Sequence, residues 1–212
     1  MKYGFYVSKN AGRLKLFLQE KFEIENIAFV LIDNTNNKEL ALICEQLEIP
    51  FYQYSYSELG LINKEQNRFI SGKLLELMVK TSSDYCFVFG GRILEGELLT
   101  RYKNRLINFH PSLLPAFKGK NAINQALDNH ALLLGNTAHF IDDDVDSGSI
   151  IMQCIIPAQQ FKKYTSVLDL QIPMLKQIIT WLKAKRICVK NDITTVVSAC
   201  YQINTFIPNL EI

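Results

Sequence analysis

The chain has 212 residues, with 23 Lys and Arg against 21 Asp and Glu, for a formal net charge of +2. A balance so near neutral excludes a nucleic-acid or membrane surface built on bulk charge. With 48% hydrophobic and 21% charged residues, the composition also excludes a disordered or fibrous chain and supports one large domain with a substantial core.

From the N-terminus, Tyr3 to Val7 reads as a strand and Gly12 to Lys21 as a helix, with Leu14, Leu16, Phe17 and Leu18 supplying its apolar face. Ile27 to Ile32 is a near-continuous apolar strand, followed by the turn-rich "DNTNNK" and a helix through Leu47. Phe51 to Tyr54 is a weaker strand, and Lys64 to Val79 a helix. "YCFVF", Tyr85 to Phe89, is a fully apolar strand stopped by Gly90 and Gly91. A short helix near Glu95 to Arg101 leads into the strand "RLINF", Arg105 to Phe109. Apolar strands alternating with helices predict an α/β, Rossmann-like fold with a mostly parallel sheet and helices on both faces. In such sheets, ligands bind beyond the carboxyl ends of the strands.

The second half changes character. Ala122 to Asn129 can form a helix. "LLLGNTAHFI" and "SIIMQCIIP" read as two strands joined by the acidic loop "DDDVDSGS", an antiparallel addition to the sheet. Ser166 to Lys183 reads as one long amphipathic helix, and "ITTVVSACY" as a closing strand. No Pro/Gly/Ser linker, internal repeat or low-complexity segment divides the chain, so a single domain spanning 1–212 is expected.

Five cysteines, Cys44, Cys86, Cys154, Cys188 and Cys200, are scattered without a Cys-x-x-Cys pair, most of them in apolar runs. This usage points to a reducing compartment. "MKYGFYVS" is not a signal peptide, and no run is long and apolar enough to span a bilayer. A cytoplasmic protein with no membrane or nucleic-acid partner is expected.

The polar residues suited to chemistry fall in two places. In "NFHPS", Pro111 pushes His110 away from helical backbone, and Asn108 and His110 lie two apart in an extended stretch with their side chains on the same side. In "DDDVDSG", tight-turn residues around Asp146 can fix the direction of its carboxylate. A carboxylate beside an imidazole orients the ring and raises its basicity, and a carboxamide can donate to a developing oxyanion. Asn108, His110 and Asp146 together suit nucleophilic addition to a carbonyl by a nucleophile that is not a protein side chain. His139 lies within a strand and reads as a structural hydrogen-bonding partner, and His130 as exposed at a helix end. Asp142, Asp144 and Asp146 have the first spacings of a calcium loop, but Gly148 comes one place late and Gln153 replaces the bidentate Glu, so no metal is expected. Ser112 has no Gly-x-Ser-x-Gly context. "SKNAGR", Ser8 to Arg13, could offer amide N–H groups at a helix N-terminus to a phosphate, though it fits no dinucleotide or Walker pattern.

"INFHPSLLPAFKGKNAINQAL" followed by "GNTAHFIDDDVDSGSIIMQ" resembles the 10-formyltetrahydrofolate-dependent formyltransferase family, nearest its glycinamide ribonucleotide branch. The likeness is strong over Arg105 to Gln153 and looser through "FGGRIL". It implies 10-formyltetrahydrofolate as co-substrate and the primary amine of a small phosphorylated molecule as acceptor, in a monomer or homodimer. His110 would assist proton removal from the amine, Asn108 would bond the formyl oxygen, and Asp146 would pair with His110 and help pass a proton to the departing nitrogen. The folate ring would meet Arg92, Ile93 and Leu94 on one side and His139, Ile141, Asp142, Asp143 and Asp144 on the other. Ser8, Asn10, Ala11, Gly12 and Arg13 would face the acceptor. Here the chain departs from its resemblance. The family's Ser-Gly-Asn-Gly-Ser-Asn is "SKNAGR", keeping only Ser8 and Asn10, with Lys9 and Arg13 as possible compensating charges, and its Gln-Glu-His acceptor stretch is replaced near Gln171. The donor half matches and the acceptor half diverges, which favours an acceptor such as a nucleotide-linked amino sugar over glycinamide ribonucleotide. A formyltetrahydrofolate hydrolase and an inert folate-binding homologue are the alternatives.

Overall fold

The computed structural model covers Met1–Ile212 and describes all residues except Lys9, Asn10, Thr35 and Ile203, and the side chain of Asn63. It divides into two compact units, Met1–Asn108 and Phe109–Ile212.

In the first unit the chain runs β1 (Tyr3–Val7), α1 (Gly12–Gln19), β2 (Ile27–Ile32), α2 (Lys38–Gln46), β3 (Phe51–Gln53), α3 (Asn63–Thr81), β4 (Tyr85–Phe89), α4 (Glu97–Arg101) and β5 (Leu106–His110), whose last two residues begin the second unit. The strands pair in parallel in the order β5-β4-β1-β2-β3. Every residue of β1 is buried, as expected of a parallel strand covered on both faces. Phe5, Phe17, Phe87 and Phe89 form an aromatic cluster with ring centroids 5.5–6.3 Å apart. Each such ring, fully buried, contributes about 1.5–3 kcal/mol. All the predicted strands and helices of this half are present, with ends shifted by a few residues.

Two details differ. Helix α1 ends at Gln19, and Lys21 has a left-handed backbone, φ 52°. Leu16 is 43% exposed and does not belong to the apolar face. It lies two positions from both Leu14 and Leu18, so helical geometry turns it about 200° away from each.

The second unit contains α5 (Ala122–Asp128), β6 (Leu133–Phe140), β7 (Ile150–Pro157), α6 (Thr165–Leu168), α7 (Gln171–Lys183), β8 (Ile187–Lys190), β9 (Ile193–Val196) and β10 (Phe206–Ile207). Strands β6 and β7 pair antiparallel, as expected, and β10 pairs antiparallel with β7. The α/β expectation of a mostly parallel sheet with helices and an antiparallel C-terminal part is met.

The single helix expected over Ser166 to Lys183 is two. Pro173 is the reason. As the third residue of α7 it has no N–H to bond back, which the first turn of a helix tolerates and an interior does not. The closing strand also differs: only Ile193–Val196 is extended, paired with Ile187–Lys190 in a separate hairpin. Asn191 (φ 50°) and Asp192 (φ 57°) make its two-residue turn with the left-handed backbone such a loop requires. Beyond it, Ser198 turns the chain at φ 59°. Among the described residues, no helix is long and apolar enough to cross a membrane.

Candidate active site

Strand β5 ends at His110, which is buried, with Asn108 two residues earlier and half-buried. Strand periodicity places both side chains on one face. On the neighbouring elements, the 141–149 loop between β6 and β7 presents Asp146 with a left-handed backbone, φ 51°. Asn and Asp adopt that conformation more readily than other non-glycine residues. Asp146 Oδ2 lies 3.2 Å from His110 Nδ1, and Oδ1 lies 3.7 Å from His139 Nε2. The Gly119 amide donates to Asp146 Oδ2 at 2.7 Å. One carboxylate thus joins two imidazoles and a backbone amide. His110 and Asp146 side chains are 5% and 11% exposed, and at that burial a charge pair is screened little by solvent.

His110 has a second contact. Its Nε2 is 2.9 Å from the carbonyl of Phe117. A carbonyl can only accept, so Nε2 is the donor there, while Nδ1 faces a carboxylate that also accepts.

The loop that holds Asp146 is braced from several directions. Ser147 Oγ donates to Asp142 Oδ1 at 2.6 Å, with the Asp144 carbonyl 3.0 Å away. Phe140 N donates to the Ser149 carbonyl at 3.0 Å, and Thr194 Oγ1 of β9 donates to Ser149 Oγ at 2.8 Å. A cleft beside Asp146 is walled by Lys118, Ser149, Asp192 and Thr194. Gly148 sits so close to β6 that a Cβ there would lie 1.9 Å from the Phe140 carbonyl oxygen. Gly148→Ala is therefore expected to lower stability by about 1–3 kcal/mol, the usual cost of overpacking, measured by denaturant unfolding, and to lower activity by moving Asp146.

His139 is positioned by a bulge: β7 carries an extra residue, Ile151, between the partners of Ala138 and His139. Such irregularities re-aim side chains beside active sites. The ring bonds the Phe140 carbonyl through Nδ1 at 2.8 Å. Burial pulls its pKa below the ordinary 6.5, against the opposing influence of that carbonyl and of Asp146. The folded state therefore holds the neutral ring, and the unfolded chain takes up the proton first as pH falls. Stability is expected to decline as pH drops below about 6.5. His139→Asn should flatten part of that decline in thermal melts between neutral and acid pH.

Beneath the site runs a buried polar chain. Thr137 Oγ1 donates to the Ser112 carbonyl at 2.7 Å and accepts from Leu114 N at 3.1 Å and Gln153 Nε2 at 2.9 Å. Gln171, wholly buried, donates to Asn136 Oδ1 at 2.6 Å and to the Phe109 carbonyl at 3.4 Å. The divergent residue at the start of α7 is thus part of the scaffold behind His110.

The remaining expected contacts are dispersed. Leu94 is buried, Ile93 is 51% exposed, Ile141 is intermediate, and Asp142, Asp143 and Asp144 are exposed. Arg92 reaches Asp33, a residue no local pattern marked. In the acceptor stretch, Ser8 Oγ accepts from Gly91 N at 2.8 Å, Ala11 is the buried N-cap of α1, Gly12 is its first residue, and Arg13 lies 5.0 Å over the Phe89 ring. Asn10 and Lys9 fall outside the described residues. His130 is exposed after α5, as expected.

Residues 9–169 match the Formyl transferase domain family. The chain belongs to that family. A formyltetrahydrofolate deformylase of Haemophilus influenzae is 37% identical over 131 residues, 61% of this chain and 44% of that protein. A trifunctional purine biosynthetic protein adenosine-3 of Bos taurus is 41% identical over 86 residues, 40% of this chain and 8% of that protein. The chain thus spans less than half the length of these curated relatives. Among solved structures, glycinamide ribonucleotide transformylase 1 of Symbiobacterium toebii superposes with a TM-score of 0.80 at 22% identity, covering 93% of this chain and 94% of that one. The shared fold is that of the formyltransferases.

Proposed function

We propose that this protein transfers a formyl group from 10-formyltetrahydrofolate to the primary amine of a phosphate-bearing acceptor, a nucleotide-linked amino sugar in preference to glycinamide ribonucleotide. The observation that carries the reading is the contact of Asp146 with His110 at the end of β5, in a chain of this family. The donor supplies a formyl carbonyl on a nitrogen that can leave. Asn108 donates a hydrogen bond to the carbonyl oxygen as negative charge gathers there. His110, with its hydrogen on Nδ1 toward Asp146 and its Nε2 clear of the Phe117 carbonyl and bearing none, takes the proton released by the attacking amine. Asp146 holds the ring in place, stabilises it when charged, and assists delivery of the proton to the departing nitrogen. The acceptor preference rests on the altered stretch Ser8 to Arg13 and on Gln171, which is committed to the scaffold.

A second reading, hydrolysis of the donor to formate, is favoured by the 37% identical deformylase, since the same three residues would serve with water as nucleophile. One assay separates the readings: release of tetrahydrofolate with no acceptor, then with a panel of phosphorylated amines. The transferase reading expects release that depends on an amine and formylates it. Full release without acceptor overturns it in favour of the hydrolase, and turnover with glycinamide ribonucleotide alone overturns the acceptor preference.

A further inference from the structure

Between Pro115 and α5 the chain passes three times through left-handed backbone, at Phe117 (φ 54°), Gly119 (φ 80°) and Asn121 (φ 58°). For a side chain as bulky as Phe117 this is a strained conformation, and it persists only where the surroundings enforce it. The Phe117 side chain packs against the buried cluster of Ile123, Ala126, Leu134 and Val167. From this short segment two main-chain groups meet the reacting pair. The Phe117 carbonyl lies 2.9 Å from His110 Nε2, and the Gly119 amide donates to Asp146 Oδ2 at 2.7 Å.

The Gly119 amide is one end of a planar unit whose other end is the Lys118 carbonyl. The unit is trans, so its two groups point in opposite directions, and whatever grips the carbonyl also aims the N–H. Gln125 of α5 supplies that grip. Its Nε2 donates to the Lys118 carbonyl at 3.1 Å and to the Lys120 carbonyl at 2.8 Å, one hydrogen for each. Helix α5 is a firm base for it, since Ile123 and Ala126, which flank Gln125, are buried in the cluster that receives Phe117. Packing at Gly119 adds little restraint. Among the described residues, nothing lies within 4 Å of the place its Cβ would take, and glycine lets an adjoining peptide rotate at small steric cost. Half a turn of this plane would carry the N–H away from Asp146 and bring the Lys118 carbonyl toward the carboxylate, setting two acceptors face to face. Donation to the Lys118 carbonyl opposes that turn. It also polarises the unit, strengthening the bond its N–H makes by about 10–30%.

We propose that Gln125 is a positioning residue for the reaction, holding the 118–119 peptide plane so that the Gly119 amide directs the Asp146 carboxylate onto His110. This rests on the reading of Asp146 and His110 as the reacting pair, and it applies to transfer and to hydrolysis alike. Gln125→Met, of similar length but without donors, is expected to lower kcat about ten- to hundredfold with the donor's KM moved by less than about twofold, the scale of a slightly misplaced catalytic group. On an Asp146→Asn background the same change should cost about twofold or less, because the two residues act through one contact. Gln125→Glu keeps the shape and, when ionised, has no hydrogen to give. Its rate relative to wild type should rise as pH falls through the carboxyl range, where one O–H donor returns. Should Gln125→Met unfold, that pH profile carries the test. The Gly119 amide proton, followed by NMR without turnover, reads the plane directly and should move upfield and exchange faster in Gln125→Met. Unchanged kcat in Gln125→Met, an unmoved Gly119 proton, or a loss of equal size on the Asp146→Asn background overturns the proposal. A displaced Gly119 proton beside wild-type turnover in Asp146→Asn sinks the reading of the reacting pair and leaves Gln125 as the holder of that peptide.

Discussion

Asp146→Asn is expected to lower kcat/KM by about 10²–10⁴, the range general acid–base catalysis contributes, while the melting temperature stays within a few degrees of wild type. The two halves of the expectation have separate causes. Asn tolerates the left-handed backbone that Asp146 adopts, φ 51°, so the loop keeps its course. Its amide oxygen can still accept from Gly119 N, as Asp146 Oδ2 does at 2.7 Å. What is lost is the negative charge 3.2 Å from His110 Nδ1, and with it the support for a charged ring. Steady-state assays beside thermal melts check both halves. Wild-type turnover would remove Asp146 from the chemistry, and a collapse in stability matching the loss of activity would make it a folding residue.

Asn108→Ala is the second large effect, expected to reduce kcat by about 10²–10³ with KM for the donor little changed, as for loss of one oxyanion donor. The position favours a catalytic over a packing role. Asn108 is half-buried where its β5 neighbours Ile107 and Phe109 are buried, so truncation leaves the apolar core of the strand in place. Asn108→Asp is the informative companion. It has nearly the same shape but presents an acceptor to a developing negative charge, so it should be at least as inactive as the alanine variant. A rise in KM with kcat unchanged in both would assign Asn108 to ground-state binding.

Much of this was readable beforehand, for identifiable reasons. Buried parallel strands are written as unbroken apolar runs, and "YGFYV", "IAFVLI" and "YCFVF" are such runs, so β1, β2 and β4 could be placed to the residue. The pairing of His110 with Asp146 was implied by the likeness of "NFHPSLLP" and "DVDSG", in that order, to the formyltransferase family, and neither motif alone gave it. The failures came where a single residue overrode periodicity. Pro173 splits what the apolar pattern of 166–183 presents as one helix, and its presence in the sequence was the available signal. The β8–β9 hairpin turns on Asn191–Asp192, a weaker signature than Asn-Gly, between strands of only four residues. Asp33 had no local signature. It became meaningful only once β1 was seen between β2 and β4, because Arg92 is 59 positions away in sequence and no spacing rule connects them.

The Phe117 carbonyl seated on His110 Nε2 sets an order of events in time. In the proposed reaction, a nitrogen that gives its hydrogen to a neighbour has no lone pair to offer, so the ring must part from that oxygen and keep its hydrogen on Nδ1 alone before it accepts a proton. That rearrangement would precede proton transfer in each cycle of the proposed reaction. Substitutions in the backbone around 112–119 would then act on that step while leaving the contact of His110 with Asp146 in place.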